Sequence, residues 1–399
     1  MLLAAVLAGT GFMLLPENPY DESMLGLEVQ LAFPDWLSDS AAEGIEVTVE
    51  ETTTANRSTA LTDADGRASF RVLKGVYRAW AVLRTDDAVF NGLTEGIRLT
   101  EGDVEVLLEM TFSRPGALVI KEIYCGGCSK SPQEGSFQGD KYFIIHNNSS
   151  DVQYLDGLCW GMLDPYNSNV LNVWADQSGR LRDYAPLCEA VWRFGGGGAD
   201  FPLAAGADAV VAVNGAVDHS AQYPLSVNLN CEDYFVCYDP LLFGNTAYHP
   251  APGDKIRPER YLEVVRKTGQ ANAFPLSINS PTIVLFRAPE GTDIAAYLND
   301  DTQSIVQKPG ASSRCMKIPW DWIIEGVEVY NGAATSNYKR LANDVDAGYV
   351  YLSGTFTGHT LHRRLNEEAS SEAGREIYHD TNNSSNDFYE RGEQSLHGR

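Results

Sequence analysis

The sequence predicts a mainly β protein built as two antiparallel β-sandwich domains in tandem. Three observations carry that prediction. Apolar and polar residues alternate over short runs such as GLEVQLAF (26–33) and GIEVTVEE (44–51), the pattern of strands with one buried face. Turn-forming clusters separate these runs, and 36 glycines are available to fill them. Helical patterning is confined to one stretch, Pro258 to Lys267, with proline in its first turn.

A length of 399 residues allows two or three domains with sizeable cores. Acidic residues outnumber basic ones 54 to 30, a net charge of −24. Binding phosphates requires clustered Lys and Arg, so the balance argues against a nucleic-acid partner and against docking on anionic lipid. Residues 1–23, MLLAAVLAGTGFMLLPENPYDES, open with an apolar run ending near Pro16 and continue as an acidic tether. A run of about fifteen residues is too short to span a bilayer and suits the hydrophobic region of a secretory signal. No basic residue precedes it, and no cysteine follows LAGTG to carry a lipid.

Residues 24–113 form the first predicted domain. In ALTDADGRASFRVLKGVYRAWAVLR (60–84), Asp63-Ala-Asp-Gly66 and Lys74-Gly75 are turns between alternating strands, with Asp63 expected to cap its turn rather than bind calcium. This run resembles the transthyretin-like, carboxypeptidase-regulatory type of β-sandwich, and the resemblance implies a spacer or stalk.

Ser113-Arg-Pro-Gly116 breaks the pattern and opens the second domain, 114–399. ALVIKEIYCGG (117–127), DKYFIIHNN (140–148) and YLDGLCWGML (154–163) are its first three strands. Together with FPLAAGADAVVAVNGAVDH (201–219), NSPTIVLFRAPEGTDI (279–294), IIEGVEVYNG (323–332) and the closing LHRRLNEE (361–368) and YHDTNNSSNDFYER (378–391), they resemble in order the lamin-tail domain. The resemblance implies an immunoglobulin-like sandwich interrupted by insertions at 161–200 and 220–278. Loops this long on a sandwich usually carry function. Trp174, Trp192, Tyr234 and Tyr238 are therefore the candidate binding residues, because aromatic rings with a polar edge make contact surfaces.

Other chemistry is poorly supported. Cys125-Gly-Gly-Cys128 is the sharpest local motif, and these two thiols are the candidate metal ligands. A second close cysteine pair is lacking, and no helix follows to lower a thiol pKa. The other five cysteines leave an odd total of seven, with pairing open. The four-glycine run 195–198 lacks the GK[ST] of a phosphate loop, and GxSxG, HExxH and SxxK are absent. No enzyme activity and no cofactor are expected, a metal-dependent hydrolase being the remote third reading. In the closing run, Asp380, Asn382, Asn383 and Asp387 are expected to satisfy backbone groups at a tight corner while Phe388 enters the core. The rival reading there is a calcium site.

Taken whole, the chain resembles a group of outer-membrane lipoproteins of the Bacteroidota that accompany TonB-dependent transporters. That resemblance implies an exported surface protein of a Gram-negative bacterium, either an accessory to such a transporter or a captor of iron, haem or another nutrient. The alternative is a structural or adhesive surface module with no small-molecule ligand.

Overall fold

The structure is a computed structural model that describes residues 24–34, 42–84, 89–113, 116–177, 179–333 and 336–398. The signal-like segment 1–23 lies outside the described residues. Strand accounts for 39% of the chain and helix for 8%, so the protein is mainly β and of the sandwich class. The chain divides into two compact units, one formed by the described residues up to Ala81 with Gly92–Met110, the other by Val82–Asn91 and Thr111 onward.

In the first unit, Met24–Ala32 pairs antiparallel with Arg67–Leu73 and parallel with Val104–Glu109. A second sheet includes Arg57–Leu61, Glu46–Glu51, Gly75–Arg84 and Val89–Leu99 in that order. Leu27, Val29 and Leu31 are buried, as are Ala68, Phe70 and Val72, each set taking every second residue. This is the inward face that the alternating sequence predicts. The turn at Asp63 is closed by its own carboxylate: Asp63 Oδ1 accepts from the amides of Asp65 at 3.0 Å and Arg67 at 2.9 Å.

The second unit stacks a six-stranded sheet against an eight-stranded one. The first runs in the order Phe235–Val236, Asp208–Ala212, Tyr142–Asn147, Leu118–Tyr124, Thr360–Arg363, Phe388–Arg391. The second is centred on Tyr184–Arg193, Cys159–Leu163, Thr282–Phe286 and Ile323–Tyr330. Between them lies a core that includes Ile120, Phe143, Trp160, Trp192, Leu285, Val327, Leu361 and Phe388.

Both outer faces are covered as well. The helix Ile294–Asn299 contributes Ile294 and Leu298 to a cluster with Val284, Phe286, Leu187 and Ile318. On the other sheet, Val227, Leu229 and Ile256 of the second insertion lie against Tyr124, Tyr142, Ile144 and Val210. That is why Leu118–Tyr124, Tyr142–Asn147 and Thr282–Phe286 are buried at every position rather than every second one.

One expected element is absent. Pro258 begins only a single 3-10 turn, Pro258–Arg260, after which Glu263–Lys267 is a strand paired antiparallel with Tyr184–Arg193. The helical pattern there is overridden by edge pairing, for which the run Val264-Val265 is well suited. The described helices are instead short: Ile294–Asn299, Glu367–Ala373 and Ser384–Asp387.

Candidate ligand pocket

The closing run folds as a polar clasp around Arg363. This buried guanidinium reaches Glu325 at 2.8 Å and Asp380 and Asp387 at 3.3 Å each, and donates to the Ile120 carbonyl at 2.8 Å. Asp387 also accepts from the Thr381 amide and hydroxyl, both at 2.8 Å, and Asp380 from the Gly116 amide at 2.7 Å. Asn383 caps the helix Ser384–Asp387, and Asn382, at φ +49°, donates to the Asp344 carbonyl at 3.1 Å. Phe388 enters the core with Arg363 over its ring at 4.6 Å. The position a cation would take among these carboxylates is occupied by Arg363. Burial pushes the Asp387 carboxyl up to about 6 and the Glu325 carboxyl well above its ordinary value.

The glycine run 195–198 does surround an anion, but an internal one. Asp156 accepts from the amides of Gly198, Asp200 and Phe201, each at 2.9 Å. With those donors committed, no phosphate can use them.

The candidate aromatic and cysteine residues are mostly inside the protein. Trp192 is fully buried in the core, and Trp174 is buried with its indole donating to Asp164 at 2.7 Å, so neither is a contact surface. Their surroundings are apolar layers that the isolated insertion sequences do not reveal. Tyr234 and Tyr238 are half-buried against the cluster under the second insertion. Burial pushes both the Cys125 and Cys128 thiols up to about 12, which suits neither thiolate metal ligation nor redox exchange near neutral pH. Among the described residues, no three His, Cys, Asp or Glu side chains converge in a metal-binding arrangement.

The two insertions do meet, at residues the sequence reading missed. A cavity of about 320 Å³ is lined by Tyr166 and Asn167 of the first insertion, Tyr248 and Ala273–Ile278 of the second without Phe274, and Asn279, Gln138 and Lys141. Its wall is an irregular segment whose three successive carbonyls are each held by a side chain from elsewhere. Asn214 donates to the Phe274 carbonyl at 3.1 Å, Tyr166 to Pro275 at 2.9 Å and Lys141 to Leu276 at 2.6 Å. Ser277 adds a 2.6 Å bond to Asn167 Oδ1, and the Phe274 amide donates to His249 Nε2 at 2.7 Å. Non-strand backbone at this depth has to be satisfied in this way.

Lys141 is the unusual member. It precedes the strand Tyr142–Asn147, its carbonyl accepts from the Val213 amide at 2.9 Å, and it is only 2% exposed. Its ammonium has two neutral acceptors, the Leu276 carbonyl and Gln138 Oε1 at 3.4 Å. No carboxylate among the described residues pairs with it directly, and burial pulls its pKa down to about 8. The signal in the sequence was a lysine immediately ahead of the apolar run YFII, where a charge costs most.

A wider cleft of about 680 Å³ runs along Gly116–Leu118, Arg287, Trp320 and Asp344. Its arginine and its indole are already engaged: Arg287 donates to the carbonyls of Tyr154 and Asp156, and Trp320 to that of Arg182. The smaller pocket is the one on which both insertions converge, beside a buried ammonium that no carboxylate among the described residues pairs with directly.

No curated protein matches this chain. A crystal structure of a DUF3823 family protein from Parabacteroides merdae is 12% identical over 35% of this chain and 66% of that one, with a TM-score of 0.17. The full-length major pilin SpaD from Corynebacterium diphtheriae is 12% identical over 37% and 43%, with a TM-score of 0.19. A crystal structure of a DUF4876 family protein from Bacteroides thetaiotaomicron is 24% identical, covers 92% of this chain and 94% of that one, and has a TM-score of 0.59, so the two share a fold. Residues 204–395, which include most of the pocket wall and the whole clasp run, match the family described as "Protein of unknown function (DUF4876)".

Proposed function

We propose that this chain is a member of the family matched by residues 204–395, and that it is an exported, non-enzymatic surface protein. In this reading it captures a small ligand between its two insertions as an accessory to a TonB-dependent nutrient transporter. The observation that supports capture is the pocket itself. Two insertions far apart in sequence converge on one cavity, and its wall is fixed by side chains from three segments. A cavity of this size sits at the lower end of small-molecule sites. The transporter partner and the outer-membrane location draw on the sequence resemblance alone.

The test is a thermal-shift panel of small polar metabolites, neutral and charged, on the parent and on Asn279→Trp, which fills the pocket. Hits that vanish in Asn279→Trp support capture. A panel without hits, or with hits indifferent to the tryptophan, overturns it. For the partner, recovery from native membranes as a lone protein with no transporter attached overturns the accessory role.

A second reading, a structural or adhesive module that only displays its loops, is favoured by exposed apolar side chains on the insertions. Leu241 is 94% exposed and Leu171 62%. It predicts no ligand anywhere in the panel.

A further inference from the structure

We infer that Lys141 is the recognition cation of the pocket and that its ammonium takes the carboxylate of a small hydroxylated acid, an acidic monosaccharide by chemistry. This rests on the pocket being the ligand site and goes further by naming the ligand class.

The argument begins with charge. A buried ammonium needs a counter-charge, and elsewhere in this unit buried cations have one: Arg340 pairs with Glu328 at 2.7 Å, and Lys121 with Asp208 at 2.7 Å. Lys141 is held by a neutral carbonyl and an amide oxygen at the wall of an open cavity. One carboxylate from a ligand supplies what the protein leaves out. A single ammonium matches a monoanion better than a phosphate dianion, particularly on a chain of net charge −24.

The remaining walls select for hydroxyls. Ser277 Oγ, Asn167 Oδ1 and Gln138 Oε1 are engaged within the wall, which leaves the amide nitrogens of Gln138 and Asn167 and the Asn279 side chain to line the cavity, and Tyr248 supplies an aromatic surface. Amide groups beside an aromatic ring suit a sugar, which has a polar rim and an apolar face.

The groups facing Lys141 keep its titration separate. Its charged or titratable neighbours are Asp140 and Cys125, with Tyr166 and Tyr248 across the cavity. Asp140 is buried, accepts from Tyr124 at 3.1 Å and from Ser226, and its carboxyl is pushed up by burial. Burial pushes the Cys125 thiol up to about 12 and holds the Tyr166 phenol above its ordinary value. Lys141 is the group near the cavity whose proton leaves at about 8.

Calorimetric titration with sodium D-glucuronate, D-glucose and D-glucose 6-phosphate on the parent, Lys141→Met and Lys141→Arg tests this. Glucuronate is expected to bind most tightly, and its affinity to fall about tenfold or more in Lys141→Met. In the parent, affinity should fall on going from about pH 7 to about pH 9.5, and in Lys141→Arg, whose charge persists, it should stay level. Lys141→Met removes a buried charge but also the donor that holds the Leu276 carbonyl, so its urea midpoint, together with retained binding in Lys141→Arg, which keeps a donor, separates a lost counter-charge from a collapsed wall. Equal affinity for glucose and glucuronate overturns the inference, as does glucuronate binding indifferent to Lys141→Met. Tighter binding of glucose 6-phosphate also overturns it. A neutral compound that binds more tightly than glucuronate and is lost in Asn279→Trp leaves the pocket standing and removes this role from Lys141. No binding of any compound, here or in the panel, removes both.

Discussion

At the clasp, Arg363 has three carboxylates within 3.3 Å, whereas at the pocket Lys141 has a carbonyl and an amide oxygen. Both cations are buried, so both regions carry the cost of taking charge out of water. The clasp offsets that cost internally and has negative charge to spare, which is why burial can drive Asp387 up to about 6. The pocket leaves the cost standing, and Lys141 falls to about 8 instead. A polar cluster whose charges close on themselves is architecture, while one with a cation lacking its counter-charge is available to a ligand.

The largest effect that would break this contrast comes from exchanging each cation for a methionine of similar length. Arg363→Met leaves Glu325, Asp380 and Asp387 buried together without compensation and should cost about 3–5 kcal/mol in urea unfolding. Lys141→Met should lose no more than about 1–2 kcal/mol in the same assay, because removal of the unpaired charge offsets the lost hydrogen bond to the Leu276 carbonyl. Equal losses at both sites would mean that Lys141 is as architectural as Arg363.

Phe388→Ala is the next largest. The ring lies in the core under the Arg363 guanidinium, so its removal should cost about 3 kcal/mol, with or without calcium. Asp387→Ala should likewise destabilise whether or not calcium is present. A melting temperature that depends on calcium in the parent and not in Asp387→Ala would return the clasp to the status of a cation site.

The capping part of the clasp was legible in the sequence because Asp380 to Phe388 lie within a single short run, where Asx residues at that density signal backbone capping; the roles of Arg363 and Glu325 were not, since only the fold brings them to that run. The alternating strands of the first unit were legible for the same local reason. The pocket was not, because Lys141, Tyr166, Tyr248 and Leu276 are brought together only by the fold. Two of the four aromatic candidates are buried for a related reason. Trp174 and Trp192 are large and amphipathic in sequence, but covering both faces of each sheet demands apolar volume, and they supply it. The helix expected at Pro258–Lys267 gave way to a strand because Tyr184–Arg193 offered an edge to pair with.

The two regions should also titrate in opposite directions, each by roughly 3 kcal/mol. Asp387 has a folded pKa of about 6 above an ordinary 3.8, so between those values the folded state holds a proton the unfolded state has lost. Its contribution is fully present below the lower value and disappears as pH rises through the upper one. Lys141 has a folded pKa of about 8 below an ordinary 10.5, so there the unfolded state holds the extra proton and stability rises with pH across that window. Urea midpoints measured against pH should show a fall on the acid side that Asp387→Asn removes and a rise on the alkaline side that Lys141→Met removes. A slope that survives its own substitution would assign the titration to another group.

The smallest effect tests whether an internal anion site follows the clasp's rule. Asp156 gathers three backbone amides of the 198–201 turn at 2.9 Å, and those hydrogen bonds hold its carboxyl below the usual range against the opposing effect of burial. Asp156→Asn keeps the shape but turns one acceptor oxygen into a donor facing an amide, so about 1 kcal/mol should be lost. In Asp156→Ala, which also vacates the space, the freed amides would be open to an external anion, and phosphate should restore part of the loss while leaving the parent unchanged. Rescue of that kind would show that the glycine turn has the geometry of an anion cradle and that Asp156 alone keeps it closed. No rescue would mean that the turn depends on the carboxylate for its shape, so that the amides disperse once it is gone.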